Sequence, residues 1–275
     1  MKPGRRSEGR DDAQATFPPV FATNHPERDE TVAGEINRLL RGLREELKNP
    51  PALAIATAYM NPGGFSLVAS EVEKAPVVRL LLGADPDPAR SRGRVAPDPA
   101  DSIEEALKAD RDSVGFTIED DAAAKRLVAW LRHAAETGEP QVEVRRFTNG
   151  FLHGKAFIAE HPTLSAVLAG SSNFTYAGLS LNRELNLGYP SGEYTGLVID
   201  WFNELWDDAE PFDLAAFYEA RWMPHPPWIV FLRMLHELYS AADEDPDRRL
   251  GLELLGFQLD GVKRALRLMD ELGGV

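Results

Sequence analysis

Two short apolar runs with one helical stretch between them constrain the fold of this chain more than any other feature. PALAIATAYM (51–60) and PVVRLLLG (76–83) have the length of buried strands, and FSLVASEVEKA (65–75) between them has a helical pattern. Strands joined by one crossover helix pair parallel in the same sheet. The sequence therefore predicts an α/β fold whose sheet contains a parallel pair.

Four more short strands are expected later in the chain. QVEVRRF (141–147), LHGKAFIA (152–159) and LSAVLAG (164–170) follow one another closely, and ELNLGYP (184–190) completes the set. Turn-forming residues separate these runs, as they do between the strands of a sheet. We expect a mixed sheet with helices on its faces, followed by a helical C-terminal tail.

The first helix is marked by the segment TVAGEINRLLRGLREELKNPP (31–51). Thr31 is the expected N-cap, and Pro51 is expected to end the helix. Apolar residues recur at helical spacing along one face. They are Val32, Ile36, Leu39, Leu40, Leu43 and Leu47.

Helical patterns also cover residues 102–111, 120–138 and 194–212. In the last of these, Trp201 and Leu205 are expected on the inner face, against the sheet. These helices would supply the layers that bury the two faces of an α/β sheet.

Three regions follow from this pattern. Residues 1–30 are polar and contain prolines without any period, so a disordered or loosely docked arm is expected. Residues 31–215 hold the sheet and its helices. Residues 216–275 are expected to form a helical linker and the start of a further segment.

Composition excludes several classes of protein. The chain has 275 residues and no cysteine, which excludes disulfides, cysteine nucleophiles and thiolate metal sites, and this fits a cytoplasmic protein. The charged N-terminus does not resemble a secretory signal, and no apolar run reaches the length of a membrane span. The net charge of −14 argues against a protein that coats DNA, although a local basic cleft can exist on an acidic body.

The segment FLHGKAFIAE (151–160) carries the first candidate for chemistry. If it is a strand, His153, Lys155 and Phe157 share one face, because side chains alternate between faces. An imidazole can act as nucleophile or proton shuttle near neutral pH, and an ammonium can neutralise phosphoryl oxygens. A lone His-x-Lys on a strand is nevertheless common, and an ordinary hairpin explains it equally well.

Two polar groups follow in AGSSNFTYAGLSLNRELN (169–186). Ser171, Ser172 and Asn173 provide neutral donors for phosphate oxygens, and Glu184 can accept a hydrogen bond from His153 and fix its tautomer. Arginines near the predicted strands are candidate contacts to a nucleic-acid backbone. They are Arg145, Arg146 and Arg183.

The combination of these motifs resembles the phospholipase D superfamily, whose hallmark reads His-x-Lys, four residues, Asp, and then Gly-Ser-x-Asn. The matching residues here are His153, Lys155, Gly170, Ser171 and Asn173. The segment NFTYAGLSLNRE is similar to the extension found in the nuclease-like members, and the resemblance covers roughly Pro51 to Phe212. It implies phosphodiester chemistry without a metal or cofactor, in which one histidine forms a covalent phosphohistidine and a second protonates the leaving group.

Two departures from the hallmark affect the interpretation. Glu160 stands where the superfamily has Asp, and the gap from Glu160 to Gly170 is longer than usual. The Asp is largely structural in the superfamily, so the resemblance leaves the His153–Lys155 pair as the centre of the site. Activity does not follow from the motif alone.

The chain has only one copy of the motif. None of the other histidines, at positions 25, 133, 161, 225 and 236, is followed two residues later by Lys. Single-motif members of the superfamily obtain the second histidine from a second chain. A C2 homodimer in which the two His153 faces meet is therefore expected.

The C-terminal segment GLELLGFQLDGVKRALRLMDELGGV (251–275) resembles the entry to a superfamily-2 helicase of the Swi/Snf-like or DEAD/DEAH-like kind. In that resemblance Gln258 would read adenine. The alternative is a plain amphipathic helix, Val262 to Leu272. No GxxxxGK[ST] motif occurs in the 275 residues, so ATP binding by this chain alone is not expected.

Three functions remain open from the sequence. The first is a metal-independent nuclease domain, acting on DNA and linked to a helicase. The second is a catalytically weak or inactive module of the same fold that binds nucleic acid or a dimer partner. The third is a lipid phosphodiesterase, against which the single motif and the lack of a basic amphipathic helix weigh.

Overall fold

The structure is a computed structural model of the chain. It describes residues 21–83, 118–134, 138, 141–190 and 192–220, with Ile103, Leu107, Trp228 and Phe231 as isolated positions. The chain divides into two compact units, Met1–Arg221 and Trp222–Val275. All helices and strands given below belong to the first unit.

Eight strands and six α-helices make up the described part of this unit. In chain order they are β1 (Phe21–Ala22), a 3-10 turn (Pro26–Arg28), α1 (Val32–Leu47), β2 (Ala52–Thr57), α2 (Pro62–Val72), β3 (Val78–Leu82), α3 (Ile118–Leu131), β4 (Val142–Arg146), β5 (Lys155–Glu160), β6 (Ala166–Gly170), α4 (Tyr176–Ser180), β7 (Asn186–Pro190), α5 (Glu193–Asp208), β8 (Glu210–Pro211) and α6 (Leu214–Glu219).

The strands form one mixed sheet in the order β1-β7-β6-β5-β2-β3-β4-β8. β2 pairs parallel with β3, and β3 pairs parallel with β4, while the remaining pairs are antiparallel. The unit β2-α2-β3 is the parallel pair that the sequence predicts. The α/β fold with a mixed sheet flanked by helices is thus confirmed.

Helix α1 follows the predicted pattern. The Thr31 hydroxyl accepts a hydrogen bond from the Gly34 amide at 3.0 Å and caps the first turn. The helix ends when Lys48 adopts a left-handed conformation, with φ of 62°. Every residue of the predicted apolar stripe is buried except Leu47, which is half-buried against the same core.

Each face of the sheet has its own core. One face is covered by α1, α2, α3 and α6, and Phe157 belongs to it. The other is covered by α5, which buries Phe202 and Trp206 against β2, β5 and β6. The predicted inner residues Trp201 and Leu205 are half-buried and pack against this core beside Phe202 and Trp206.

The N-terminal arm differs from the prediction over residues 21–30. β1 pairs antiparallel with β7, and Asn24 is 1% exposed. The side-chain amide of Asn24 donates to the Gly178 and Asn182 carbonyls, which fastens this segment to the fold. A segment without periodicity is therefore held by specific polar contacts, which a hydrophobic pattern does not reveal.

Three further predictions fall at the edges of the described residues. The boundary predicted at residue 215 lies inside α6, where Tyr218 is buried in the main core. The predicted helix over 102–111 lies outside the described residues, apart from Ile103 and Leu107. The helicase-like segment lies outside them as well. Within the described part of the chain, no helix is both long enough and apolar enough to cross a membrane.

Candidate active site

Three neighbouring strands bring the predicted site residues to one edge of the sheet. Lys155 is the first residue of β5, and its partner across the ladder is Gly170, the last residue of β6. Gly170 is in turn paired with Asn186, the first residue of β7. The segments just outside this row carry His153, Ser171 and Glu184, so the topology gathers residues that are far apart in sequence.

His153 lies in the loop before β5 and not in the strand as predicted. The ladder between β5 and β6 ends at the Lys155–Gly170 pair, so His153 has no residue of β6 opposite it. Its backbone is nevertheless held on both sides, because Leu152 and Lys155 are buried. The imidazole is exposed, which leaves it accessible to a substrate.

Gly154 separates His153 from Lys155 for a reason of packing. A Cβ at Gly154 would lie 2.7 Å from Cζ2 of Trp201 on α5. The glycine thus allows α5 to approach the chain next to His153, as glycine in such a segment often does.

Lys155 is 4% exposed, although it carries an ammonium group. Burial lowers the pKa of Lys155 to about 8, against the opposing effect of the Glu184 carboxylate, which favours the charged form. Burial, and then the charge of Lys155, also lower the pKa of His153. At pH 7 the imidazole is therefore mainly neutral and the ammonium mainly protonated.

Ser171 and Glu184 form a second polar pair at the same edge. The Ser171 hydroxyl donates to Oε2 of Glu184 and accepts from the Leu185 amide at 3.0 Å. The hydrogen bond that the structure gives Glu184 is thus with Ser171. A bond from His153 to Glu184 stays a prediction.

Asn173 is oriented by the end of β2. Its Oδ1 accepts a hydrogen bond from the Tyr59 amide at 3.3 Å. The following amide, that of Phe174, donates to the Tyr59 carbonyl and to the Thr57 hydroxyl, both at 3.0 Å. With Oδ1 engaged in this way, Nδ2 is the end of the Asn173 amide suited to a phosphate oxygen.

Ser172 does not fit the predicted role of substrate contact. It is 1% exposed, and its hydroxyl accepts a hydrogen bond from Nδ2 of Asn186 at 2.8 Å. Side chains alternate as the chain leaves β6, so the residue between Ser171 and Asn173 turns inwards. Ser172 and Asn186 hold together the turn that carries the exposed Ser171 and the half-buried Asn173.

The structure does not bring all three arginines to the site. Arg145 and Arg146 lie on β4, three strands from β5, and pair with Glu143 at 2.8 Å and Glu210 at 2.7 Å. Arg183 lies next to Glu184 but donates to the Asn24 carbonyl at 3.2 Å. Carboxylates therefore offset the positive charge of the two arginines on β4.

Glu160 lies at the opposite end of β5 from Lys155. It forms an ion pair with Arg79 of β3 at 2.8 Å, across the intervening strand β2. Arg79 also donates to Asn203 of α5 at 2.8 Å, and its guanidinium lies 4.9 Å from the ring centre of Phe202. The acidic residue that ends the motif thus joins two strands and a helix, far from the imidazole.

The sequence did not single out Asn24, Thr57 or Asn186, whose side chains hydrogen-bond the segments that carry the candidate residues. Asn186 gave no usable signal, since alternation in β7 would turn the apolar Leu187 and Tyr189 inwards and Asn186 outwards, whereas the structure buries Asn186. Asn24 gave none either. Among the described residues, no group of three or more His, Asp or Glu side chains is placed to hold a metal ion.

A protein-family comparison identifies the class of this domain. The model described as "Cardiolipin synthase, PLD-like domain" matches residues 68–206, just over half of the chain. The chain therefore belongs to the phospholipase D-like family of phosphodiesterases. None of the curated proteins compared with the chain matches it.

Solved structures give more distant matches. Nuc, a phospholipase D family member from Salmonella typhimurium, is 11% identical with a TM-score of 0.38, covering 70% of this chain and 97% of its own. NucT from Helicobacter pylori is 12% identical with a TM-score of 0.40 and the same coverage. Polyphosphate kinase from Porphyromonas gingivalis is 12% identical with a TM-score of 0.41, covering 75% of this chain and 25% of its own.

Proposed function

We propose that this chain hydrolyses phosphodiester bonds of nucleic acid, without a metal ion, at the site formed by His153 and Lys155. One observation carries the proposal: an exposed, mainly neutral imidazole beside a buried ammonium, in a domain of the phospholipase D-like family. A neutral imidazole is a nucleophile, and a protonated amine in a site of low polarity stabilises phosphoryl oxygens strongly.

In the first step, a ring nitrogen of His153 attacks phosphorus. A nitrogen–phosphorus bond forms, and the bond from phosphorus to the leaving oxygen breaks. Lys155 and Nδ2 of Asn173 face the non-bridging oxygens and stabilise their charge. The proton that the leaving oxygen requires comes from a second imidazole, which we assign to His153 of a second copy of the chain; the active state is therefore the one in which this second imidazole carries a proton and the first does not.

In the second step, a water molecule attacks phosphorus and the nitrogen–phosphorus bond breaks. The second imidazole takes the proton of the water and is ready for another cycle. The Ser171 hydroxyl, two residues before Asn173, gives its hydrogen to Glu184, so it assists by holding that carboxylate. In this scheme Glu184 acts at the site through Ser171 and through its charge on Lys155, and a hydrogen bond to His153 would add the fixing of its tautomer.

The proposal includes partners for this activity. DNA is the expected substrate and a second copy of the chain the expected partner, with the two His153 faces opposed. The resemblance of residues 251–275 adds a helicase domain acting with this one, in the cytoplasm. The net charge of −14 makes non-specific binding to DNA weak, so the helicase would deliver the substrate.

Cleavage of single- and double-stranded DNA in EDTA tests the proposal. Wild-type protein is expected to cut in EDTA, and His153→Ala is expected to lose the activity. His161→Ala is the matched control, because His161 is a half-buried histidine at the other end of β5, in the turn after the strand, where its ring contacts Thr163. Equal cutting by wild type and His153→Ala would overturn the assignment of the nucleophile.

A binding module without catalysis is the second candidate, and one observation favours it. Lys155 is almost inaccessible, Ser172 is buried, and the arginines of β4 are paired with carboxylates. Such a surface offers few free cations to stabilise the charge of a phosphodiester transition state, which favours a module without catalysis. DNA binding by wild-type protein with no cutting in EDTA or in Mg²⁺ would support this candidate over the enzyme.

A further inference from the structure

Asn24 makes a full set of hydrogen bonds inside the fold. Its side chain is 1% exposed. Nδ2 donates to the Gly178 carbonyl at 3.0 Å and to the Asn182 carbonyl at 2.6 Å, and Oδ1 accepts from the Val32 amide at 2.9 Å. Both donors and the acceptor of this amide are thus used by backbone groups of three separate segments.

Two of these segments lead directly to the candidate site. Gly178 is in α4, and Asn182 begins the loop that carries Glu184 to β7. Arg183, between Asn182 and Glu184, donates back to the Asn24 carbonyl at 3.2 Å. Asn24 therefore binds the two residues before Glu184, Asn182 through its side chain and Arg183 through its backbone carbonyl.

The same N-terminal segment supports the other half of the Ser171–Glu184 pair. The Ala22 carbonyl accepts a hydrogen bond from Nδ2 of Asn186 at 3.3 Å, and that nitrogen also donates to the Ser172 hydroxyl. The turn that presents Ser171 is thus fastened to β1 through Asn186. Residues 22–24 therefore hydrogen-bond the loop that carries Glu184 and, through Asn186, the turn that carries Ser171.

We propose that Asn24 is a positioning residue for Glu184, holding the 181–185 loop so that the Glu184 carboxylate meets Ser171 and faces Lys155. The inference rests on the proposed function, because it gives Glu184 a role at the phosphodiester site. It assigns to the N-terminal segment, which precedes the family match at residues 68–206, a part in the chemistry.

If Asn24 served only to stabilise the start of α1, its Oδ1 atom would be enough. Capping α1 requires only Oδ1, which accepts from the Val32 amide. Both hydrogens of Nδ2 go instead to the α4 segment and the loop before Glu184. A substitution that keeps an oxygen acceptor and removes these donors separates the two roles.

Asn24→Ser comes close to this without changing the charge, because it keeps an oxygen and leaves one hydroxyl hydrogen where Nδ2 has two, so the contacts with Gly178 and Asn182 cannot both remain. The readout independent of activity is a carbon NMR titration of the seven lysine side chains, with Lys155 assigned through Lys155→Arg. Glu184→Gln serves as the reference for complete loss of the carboxylate. Because Glu184 favours the charged form of Lys155, its displacement is expected to lower the titration midpoint of Lys155 from about 8, towards that in Glu184→Gln.

Asn37→Ser is the matched control. Asn37 lies in α1, and its side chain donates to the Leu67 carbonyl at 2.9 Å. This bond joins α1 to α2, away from the site. The variant should lose stability without moving the Lys155 titration. Cleavage in EDTA is expected to fall about tenfold or more in Asn24→Ser and to be unchanged in Asn37→Ser.

The NMR titration keeps this inference distinct from the proposed function. A folded Asn24→Ser protein whose Lys155 titrates as in wild type would overturn the positioning role, whether or not the protein cuts DNA. A wild type that does not cut, with the shift present, would overturn the function and leave the positioning intact. If Asn24→Ser does not fold, Asn24→Asp replaces it; its added negative charge alone would raise the Lys155 midpoint, so only a fall supports the inference.

Discussion

Lys155 lowers the stability of the folded protein, yet the proposed chemistry requires its ammonium group. The residue is 4% exposed, and burial lowers the pKa of its ammonium to about 8, against an ordinary value near 10.4. The unfolded chain therefore binds a proton more tightly than the folded protein does between these two values. A shift of this size corresponds to about 3 kcal/mol of lost stability at pH 7.

Replacing Lys155 with Met should stabilise the protein at neutral pH while abolishing cleavage. The folded state with Lys155 gains stability as pH rises from about 8 towards 10.4, because both states then lose the proton. The advantage of Lys155→Met should be roughly 1 to 3 kcal/mol at pH 7 and should shrink over that interval. Urea unfolding at pH 7 and at pH 9.5 measures it.

Lys125 provides the control for this comparison. Its side chain is 64% exposed and pairs with Asp121 on α3, so Lys125→Met should change the free energy of unfolding by no more than about 0.5 kcal/mol. An equal stability of wild type and Lys155→Met at pH 7 would show that the folded structure tolerates the buried ammonium without loss.

The same pKa steepens the alkaline decline of the proposed activity. Below pH 8 the rate falls with rising pH only because the protonated fraction of the second His153 falls; above pH 8 it should fall about tenfold more per pH unit, because Lys155 then also loses its charge. In Lys155→Arg the rate at pH 7 should be lower, since the guanidinium is larger, but the additional decline above pH 8 should be absent. A wild-type pH profile whose slope does not steepen above pH 8 would contradict the assigned role of Lys155.

At the scale of elements, the contact between α5 and the segment before β5 depends on Gly154. Gly154→Ala would place a Cβ 2.7 Å from the Trp201 ring and should destabilise the protein by about 1 to 3 kcal/mol. Trp201→Leu in the same chain should restore part of the loss, because it removes the ring. Urea midpoints of the single and double variants provide the measurement.

Gly196 on α5 is the matched glycine for this test. No atom lies within 4 Å of a Cβ built there, so Gly196→Ala should stabilise the helix by up to about 1 kcal/mol. If both alanine variants had the same effect on unfolding, the Trp201 contact would not be what requires Gly154.

Elements with a strong period could be predicted from the sequence, and those held by polar contacts could not. The stripe of α1 and the parallel pair β2 and β3 follow from hydrophobic spacing alone. The motif also identified which residues gather at the sheet edge. His153 was placed inside a strand because alternation does not show where a ladder loses its partner.

The remaining differences have the same physical origin. Ser172 is polar yet buried, and its burial depends on Asn186, a partner fourteen positions away in sequence. The 21–30 segment has no period, and specific bonds from Asn24 order it.

At the scale of the whole molecule, the proposed mechanism requires His153 from two copies. Wild-type chain mixed and re-equilibrated with a ninefold excess of His153→Ala should lose most of its cleavage, because only about a tenth of wild-type chains would then have a wild-type partner. Light scattering should give a dimer for both proteins. Activity that stays proportional to the wild-type chain at every ratio would mean that one imidazole suffices.

The position of β2 has a practical consequence for any work with isolated fragments. The family match spans residues 68–206, whereas β2 (Ala52–Thr57) lies before it and sits between β5 and β3 in the middle of the sheet. A fragment cut to the match would separate into two half-sheets with open edges and should aggregate when expressed. A fragment of residues 21–220 retains all eight described strands and should remain in the supernatant after centrifugation, with a dispersed amide NMR spectrum. The family match thus covers fewer residues than the domain needs in order to fold.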